Sequence, residues 1–268
     1  MANSINTNYG ASIALQNLNK TNAQLETTQN RINTGQKVSS AKDNGAIFAI
    51  ATTQRANMGA MDAVKNSLQR GQSIVDVALA AGDTATSALE EMKALAVNIA
   101  SSTGDAQTAY LADYNALGKE VASALSGASF DGANLWTTAA VTNLTTNTSG
   151  GTYAIGFAAA PSADATLTAV NTGAITAANA TVANVDAAIK TVTTSLATLG
   201  TQSKSVGRQM TFVNKLQDAT EAGIGNLVDA DLAKESAKLT ALQTKQQLGV
   251  QALSIANSSS SILMSLFR

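Results

Sequence analysis

The sequence predicts a mainly α protein, in which long antiparallel coiled-coil rods form a terminal and an inner domain. A small β-hairpin tip and no separate outer domain complete the prediction. Apolar heptad repeats run through both halves of the chain, and its only proline, Pro161, lies near the middle. Residues 1–19 and 246–267 contain no Asp, Glu, Lys or Arg. A monomeric soluble protein normally has a charged face on its surface helices, so two uncharged ends indicate an assembly protein.

The composition argues against most catalytic and nucleic-acid functions. Hydrophobic residues make up 45% of the chain but aromatic residues only 4%, so aliphatic side chains must supply the core, as in helix bundles. There is no cysteine and no histidine, which excludes disulfides, thiolate metal sites and Ser-His-Asp triads. With a net charge of −1 and no basic stripe, nucleic-acid binding is not expected. We predict no enzyme activity and no cofactor.

The two ends do not read as a signal peptide or a membrane span. The first 19 residues lack a basic segment before an apolar run, as a secretory signal would require. Residues 246–267 are long enough to cross a bilayer, but they include Gln246, Asn257 and the serine run 258–261. Because these polar groups are costly in hydrocarbon, a buried helix in a polymer is expected, without membrane insertion.

The N-terminal half predicts three helices. Residues 4–34 repeat apolar side chains every seven residues and end at Gly35, a natural left-handed cap. Residues 40–43, Ser-Ala-Lys-Asp, have the spacing of a capping box for the next helix. A third helix, 105–126, is expected to fold back on the second, with its apolar side formed by Tyr110, Tyr114, Leu117, Val121 and Leu125.

The second helix, roughly 44–100, carries the clearest repeat in the chain. Two heptad rows of eight positions each run along it, and twelve of these sixteen positions are apolar. The repeat predicts a rod on the order of 80 Å long. Gly71 and Gly82 fall on the rows, which is compatible with close backbone approach or with simple tolerance of glycine. The predicted core positions of this rod are Ile47, Met61, Leu68, Val75, Leu89 and Met92.

A turn follows at 127–135, anchored by Phe130 and Leu135, and the composition then changes. Residues 137–176 are rich in Thr, Ala, Asn and Gly. Alternating pieces at 153–157 and 166–170 predict short strands, with Pro161 in the turn region between them.

Helical periodicity resumes at about residue 179. The predicted core positions of this second rod are Val185, Ile189, Leu196 and Met210. Residues 223–226, Gly-Ile-Gly-Asn, are expected to interrupt the rod before a last helix over 229–265.

Several motifs resemble those of a known family. Residues 6–8 (Asn-Thr-Asn), 31–35 (Arg-Ile-Asn-Thr-Gly) and 40–44 (Ser-Ala-Lys-Asp-Asn) resemble the N-terminal signature of bacterial flagellins. Phe130-Asp131-Gly132 is similar to their F-(N/D)-G turn, and the Leu-Phe-Arg ending to their Leu-Leu-Arg ending. The stretches 226–236 and 246–253 look specifically alphaproteobacterial. The resemblance covers about 1–136 and 180–268.

The resemblance implies an organisation. A terminal coiled-coil domain, 1–40 with 226–268, would line the channel of a helical filament. An inner rod domain would comprise 41–136 and 177–225, and 137–176 would be a short variable tip with Pro161 facing outward. The expected subunit-assembly residues of the terminal helices are Ala11, Leu18, Leu25, Ile32, Leu232, Leu239, Leu242, Val250, Leu253, Leu263 and Phe267.

The resemblance also implies partners. These are further copies of the chain, the flagellar type III export apparatus, an export chaperone, the filament cap protein and the hook–filament junction protein. A family arginine recognised by a vertebrate innate receptor would fall at Glu91, where the charge is reversed, so weak receptor activation is expected. The Thr-rich tip is a candidate for O-glycosylation, at Thr142, Thr145, Thr148, Thr166 and Thr172.

In a lone monomer the end segments cannot bury enough apolar surface to offset the entropy of ordering them. We therefore expect residues 1–40 and 226–268 to be largely disordered in the free subunit and to fold on polymerisation. Alternatives are tails that never order, and a hook–filament junction protein or another type III-exported helical assembly protein. An enzyme using the 136–181 segment has no support in the sequence.

Overall fold

The computed structural model describes the backbone of residues 8–265 and the side chains of residues 8–258. Contacts divide the chain into two compact units: residues 1–56 with 219–268 form the first, and residues 57–218 form the second. The helices are α1 (Tyr9–Thr34), α2 (Gly45–Ser101), α3 (Gly104–Gly127), α4 (Ala165–Asn171), α5 (Val182–Val228) and α6 (Leu232–Ser265). A two-stranded sheet, β1 (Thr142–Thr145) with β2 (Thr152–Ile155), and a 3-10 helix (Pro161–Ala163) lie between α3 and α4. The predicted mainly α fold with a small hairpin is confirmed.

Helix α1 ends where its sequence predicts. The Asn8 side chain accepts a hydrogen bond from the Ala11 N–H at 3.0 Å and caps the first turn. Gly35 follows the last turn with φ of 69°, the left-handed conformation that glycine adopts without steric cost. The predicted start at residue 4 lies outside the described residues.

The start of α2 differs from the predicted capping box. Asn44 is the cap, since its side-chain oxygen accepts from the Ile47 N–H at 3.1 Å. The Asp43 carboxylate instead accepts from the backbone N–H groups of Ser39 and Ser40, at 3.1 and 3.0 Å. These backbone hydrogen bonds, that from Ser39 foremost, lower the pKa of Asp43. Asp43 therefore orders the turn before the helix.

Helix α2 is 57 residues long and confirms the predicted rod. From Met61 to Ile99, every position of both heptad rows is buried. The two glycines on these rows make room for side chains of other elements. A Cβ at Gly71 would lie 2.1 Å from Leu144 Cδ1, and one at Gly82 would lie 2.7 Å from Trp136 Cζ2. Close packing of side chains therefore explains both glycines.

The core of the second unit is formed by α2, α3 and α5 with the segment between β1 and α4. Trp136 is fully buried, and its indole N–H donates to the Ala78 carbonyl of α2 at 2.8 Å. Helix α3 buries Tyr114, Gly118, Val121 and Leu125. Tyr110, predicted on this buried side, is 37% exposed. Phe130 is also exposed, so of the two residues expected to anchor the following turn only Leu135 is buried.

The middle segment contains one hairpin. Strands β1 and β2 pair antiparallel, with Thr142 opposite Ile155 and Thr145 opposite Thr152. The predicted second strand, 166–170, is wrong: these residues form α4. The Asp164 carboxylate caps that helix by accepting from the Thr166 N–H at 2.9 Å, and this local cap outweighs the weak alternation of the sequence.

Pro161 does not mark an exposed tip. It is buried at the start of the 3-10 helix, and the next residue, Ser162, donates its N–H to the Trp136 carbonyl at 3.1 Å. Leu144, Ile155, Leu167 and Val170 are fully buried in the same core. The apolar residues of the middle segment therefore hold it against the helices of its own unit.

Helix α5 runs without interruption from Val182 to Val228. The predicted break at 223–226 is wrong. The helical hydrogen bond from the Asp229 N–H to the Gly225 carbonyl is intact at 2.8 Å, and Ile224 is buried. Two glycines lower helix propensity by only about 1 kcal/mol each, which burial of Ile224 offsets. The break occurs after Val228, and Asp231 caps α6 through the Lys234 N–H at 3.1 Å.

In the first unit, α1 and α6 lie antiparallel along their length. Asn8 Nδ2 donates to the Ala256 carbonyl at 2.8 Å near one end of the pair. Near the other end, Arg31 Nη1 lies 3.1 Å from Glu235 Oε1. Among the described residues, no helix has the length and apolar character needed to cross a bilayer.

Candidate assembly surface

The seam between α1 and α6 has heptad spacing on both helices. On α1 the least exposed positions are Ala11, Ala14, Leu18, Thr21, Leu25, Thr28 and Ile32. The matching positions on α6 are Glu235, Leu239, Leu242, Gln246, Gly249, Leu253 and Ala256. A Cβ at Gly249 would lie 3.3 Å from Leu18 Cδ1, so the helices are in close contact there. The two predicted terminal helices therefore pair, in a knobs-into-holes register.

The seam contains few buried apolar side chains. Leu242 is buried, but most of the apolar seam residues are only half-buried. Two of the most buried α1 positions are threonines, Thr21 and Thr28. The Thr28 hydroxyl is buried without a hydrogen-bond partner among the described residues. Since an unpaired buried hydroxyl costs about 1–3 kcal/mol, the pair is weakly stabilised by its own contacts.

Apolar side chains also cover the outer faces of the two helices. Tyr9 is 73% exposed, Ile255 70% and Val250 53%. Leu232, one of the expected assembly residues, is exposed as well. The expected residues thus fall on two surfaces: Leu232 and Val250 point outward, whereas Leu18, Leu25, Leu239 and Leu253 lie on the seam. Leu263 and Phe267 lie outside the residues whose side chains are described.

A backbone clasp joins the segment after α1 to the segment between α5 and α6. The Lys37 N–H donates to the Val228 carbonyl at 2.7 Å, and the Ala230 N–H donates to the Gly35 carbonyl at 2.9 Å. The Lys37 ammonium adds a hydrogen bond to the Asn226 carbonyl at 2.9 Å. We call residues 35–38 with 226–230 the clasp. It fixes the register in which α1 meets α6.

One ion pair lies beside the clasp. Glu235 is mostly buried on the seam and meets Arg31 at 3.1 Å, with Lys238 3.8 Å from its second oxygen. The Arg31 Nε atom is buried without a hydrogen-bond partner among the described residues. Because both groups are partly removed from water, loss of either one leaves the other incompletely paired.

A groove of about 500 Å³ runs beside the seam, with mixed polar and apolar walls. Its cationic groups are Lys20 and Lys245, and its apolar wall includes Leu18, Leu248 and Ala252. Charged residues are otherwise absent from the neighbouring stretches 8–19 and 246–258. Many copies of these helices can pack side by side without like-charge repulsion along those stretches.

The predicted inner-rod core residues lie mainly in the second unit. Met61, Leu68, Val75, Leu89, Met92 and Val185 are buried. Ile189, Leu196 and Met210 are partly buried against the same core. Ile47 is half-buried in the first unit. From Met61 onward, the predicted rows of α2 and α5 therefore meet in the core of the second unit.

Glu91 is exposed on α2. It lies at the rim of a second groove of about 500 Å³, between α2 and α3, whose other acidic residue is Asp113. The walls of this groove are formed by Ala94, Leu95, Ala116 and Leu117.

The five candidate glycosylation threonines differ in exposure. Thr148 and Thr172 are exposed, and Thr142 and Thr145 are half-buried in β1. The Thr166 hydroxyl is occupied, since it lies 2.6 Å from Asp164 Oδ1 and 2.8 Å from the Thr191 hydroxyl. The hydrogen bonds from Thr166 also lower the pKa of Asp164.

Two family models match the chain. The bacterial flagellin N-terminal helical region matches residues 5–140, and the bacterial flagellin C-terminal helical region matches residues 182–267. The chain belongs to the bacterial flagellin family. It is 54% identical to flagellin FljN and 52% identical to flagellin FljM, both of Caulobacter vibrioides, over 99% of each chain. It is 37% identical to a flagellin of Brucella melitensis, again over 99% of each chain.

This flagellin is of the alphaproteobacterial type, and it is a structural subunit of the flagellar filament. These matches favour a filament subunit over a hook–filament junction protein or another type III-exported helical assembly protein. Flagellins are structural proteins, and the assembly surface described above fits that class.

The clasp and its ion pair were missed by sequence reasoning. Arg31 and the stretch 226–236 belong to motifs that resemble those of flagellins, but nothing in their spacing predicts that Arg31 meets Glu235 or that Lys37 reaches Asn226. One signal was available. Gly35 ends one helix and Asp229-Ala230-Asp231 precedes another, so two chain breaks on an antiparallel helix pair had to lie near each other.

Proposed function

We propose that α1 and α6 of this flagellin form the inner tube of the filament and complete their folding when copies assemble. The single observation that carries the proposal is the combination of a weak seam with apolar outer faces. Within one copy, α1 and α6 leave large side chains such as Tyr9, Val250 and Ile255 in water. Burial of each of these side chains by neighbouring copies would contribute about 1.5–3 kcal/mol.

The distribution of charge supports the same arrangement. Helices that surround one axis bring identical residues of many copies close together, so any charge there is repeated. The described part of the uncharged ends, 8–19 and 246–258, avoids that repetition. Gln246 on the seam donates from Nε2 to Asn22 Oδ1 of α1 at 2.8 Å, a polar contact that helps to fix the register between the two helices.

Removal of the last helical turns tests this function. A chain ending at residue 254 retains the clasp and the whole second unit, but it loses Ile255 and the apolar residues after it. We expect the purified full chain to form long helical filaments with a narrow bore in electron micrographs, and the shortened chain to remain unassembled. Unchanged fluorescence of Trp136, which is fully buried in the second unit, is the control that the shortened chain still folds there. Normal filaments from the chain ending at 254 would contradict the proposal.

We further propose that the subunit leaves the cell through the flagellar type III export apparatus, delivered by an export chaperone. In this proposal it joins a filament bounded by a cap protein and a hook–filament junction protein. Its localisation is then the extracellular flagellar filament. A chain without cysteine suits export in an unfolded state, because no disulfide can form prematurely. Deletion of the export ATPase should retain the protein inside the cell, as detected in fractionated cultures.

Glu91 is proposed to weaken activation of the vertebrate innate receptor, since it places an exposed acid where the family resemblance expects an arginine. Purified monomer should give little response in receptor reporter cells, and Glu91→Arg should increase it. Equal, robust activation by both proteins would contradict this role.

For O-glycosylation we propose Thr148 and Thr172, the two exposed candidates. Mass measurement of native filament protein, with each threonine changed to alanine, tests both positions. An unmodified mass of the native protein would contradict the proposal.

A further inference from the structure

Helix α5 carries an exposed aromatic side chain among basic residues. Phe212 is 58% exposed, although the next residue of the helix, Val213, is buried in the core of the second unit. Arg208 lies one turn before it, and Lys204 and Lys215 are on the same side of the helix by heptad spacing. Within residues 8–258, no carboxylate lies within ion-pair distance of these three cations, and Arg208 donates only to the Ser205 hydroxyl, at 2.9 Å. We call Phe212 with Arg208 the basic knob.

The groove between α2 and α3 has the complementary character. It has a volume of about 500 Å³, an apolar floor that includes Leu95 and Leu117, and a rim that carries Glu91 and Asp113. Neither acid has an ion-pair partner among the described side chains. We call this the acidic groove. It has an apolar interior for a ring and two carboxylates for a cation beside that ring.

The basic knob cannot reach the acidic groove of its own chain. Three contacts fix the register of α5 on α2 within the second unit. Lys93 meets Asp186 at 2.6 Å, Gln72 meets Ser203 at 2.7 Å, and Asp62 meets Gln217 at 3.0 Å. Phe212 lies between the last two contacts and 26 residues from Asp186, the partner of Lys93, so Glu91 is about 40 Å farther along the rod at about 1.5 Å per residue.

We propose that Phe212 of one copy is seated in the acidic groove of the next copy, with Arg208 paired to Glu91 and Asp113. The partner is therefore a second copy of this chain, chosen by charge complementarity and by the fit of an aromatic ring between two leucines. Such a contact joins two different surfaces of identical molecules. A contact of that kind propagates into an open helical array unless its rotation closes a ring. The inference rests on the proposed assembly function and gives it a specific contact.

Substitutions on both surfaces test the contact. Phe212→Ala should raise the critical concentration for polymerisation about tenfold, because it removes a central aromatic anchor. Arg208→Glu should weaken assembly similarly, and assembly should recover when it is combined with Glu91→Lys and Asp113→Lys in the same chain. Lys190→Glu, on the same helix and also exposed, is the charge control and should assemble normally. Far-ultraviolet circular dichroism and the fluorescence of Trp136 verify that each monomer is folded.

Cross-linking gives a direct readout. The chain has no cysteine, so Ala94→Cys in one population and Gln209→Cys in another allow disulfides only where engineered positions meet. Mixed filaments should give cross-linked dimers on oxidation, whereas Ala100→Cys, an exposed position on another face of α2, should give none with Gln209→Cys.

The outcomes separate this inference from the function on which it rests. Failure of the unsubstituted chain to polymerise would contradict the assembly function itself. Normal polymerisation of both Phe212→Ala and Arg208→Glu, without cross-linking between positions 94 and 209, would leave assembly intact and overturn the contact.

Discussion

Tyr114 is a fully buried residue whose hydroxyl has no hydrogen-bond partner among the described residues. Burial raises the pKa of this phenol from 10.0 to about 12. A pKa raised in the folded state contributes stability that is present below the unfolded pKa and is lost as the pH rises through the folded pKa. The second unit should therefore lose stability between pH 10 and about 12.

Tyr114→Phe should remove the part of the stability loss at alkaline pH that comes from ionisation of this phenol. At neutral pH its effect on the free energy of unfolding should be small or stabilising, by up to about 1 kcal/mol, because the lost hydroxyl had no partner. Urea unfolding followed by Trp136 fluorescence measures both effects, with Tyr110→Phe, an exposed position, as the control. A loss of more than about 2 kcal/mol at neutral pH would show that the hydroxyl has a partner.

Two glycines of α2 should respond oppositely to the same substitution. At Gly82 a Cβ would lie 2.5 Å from Leu196 Cδ2 and 2.7 Å from Trp136 Cζ2, so Gly82→Ala should destabilise the second unit by about 1–3 kcal/mol. At Gly59 a Cβ would meet nothing within 4 Å, so Gly59→Ala should stabilise it by about 0.5–1 kcal/mol. Thermal unfolding of the two variants compares them, and a stabilising Gly82→Ala would contradict the packing described around Trp136.

At the scale of elements, the sequence predicts long repeats well and short pieces poorly. The rows of α2 could be predicted because burial repeats over many heptads, and one ambiguous position such as Gln54 does not obscure the pattern. Helix α4 could not be predicted, since Thr166–Val170 has β-favouring residues and the decisive cap from Asp164 is a single hydrogen bond. The continuity of α5 through Gly223 and Gly225 depends on the tertiary burial of Ile224, which no local propensity reveals.

The residues of the candidate assembly surface could also be predicted only in part. The seam residues of α1 follow from spacing alone, but on α6 the pattern favoured Leu232 and Val250, which are exposed. Glu235, Gln246 and Gly249 lie on the seam instead. Apolar periodicity does not predict these positions, because their side chains are polar or small.

The ion pair beside the clasp gives an element-scale prediction. Glu235→Gln removes the charge opposite Arg31 while keeping the shape of the side chain. Filaments of this variant should depolymerise at lower temperature, since a half-buried guanidinium loses its carboxylate, at a cost of about 1–3 kcal/mol per subunit. Glu26→Gln, on the exposed side of α1, is the matched control and should leave the depolymerisation temperature unchanged. Equal temperatures for the two variants would contradict a stabilising role of the pair.

At the scale of the whole molecule, the two units differ in how completely their apolar side chains are buried within one copy of the chain. The second unit buries a continuous core that includes Trp136, Tyr114 and the apolar residues of both α2 rows from Met61 to Ile99. The first unit has a thin seam, an unpaired buried hydroxyl at Thr28 and exposed apolar side chains on its outer faces. A chain with this division is expected to keep one part folded in solution and to complete the other by assembly.

Hydrogen exchange measured on the same protein before and after polymerisation tests that division most directly. In the monomer, we expect strong amide protection within 57–218 and rapid exchange in α1 and α6. In the filament, α1 and α6 should become protected, with the outward-facing turns around Leu15 and Val250 among those that change. Strong protection of both helices in the monomer, unchanged by polymerisation, would contradict the account.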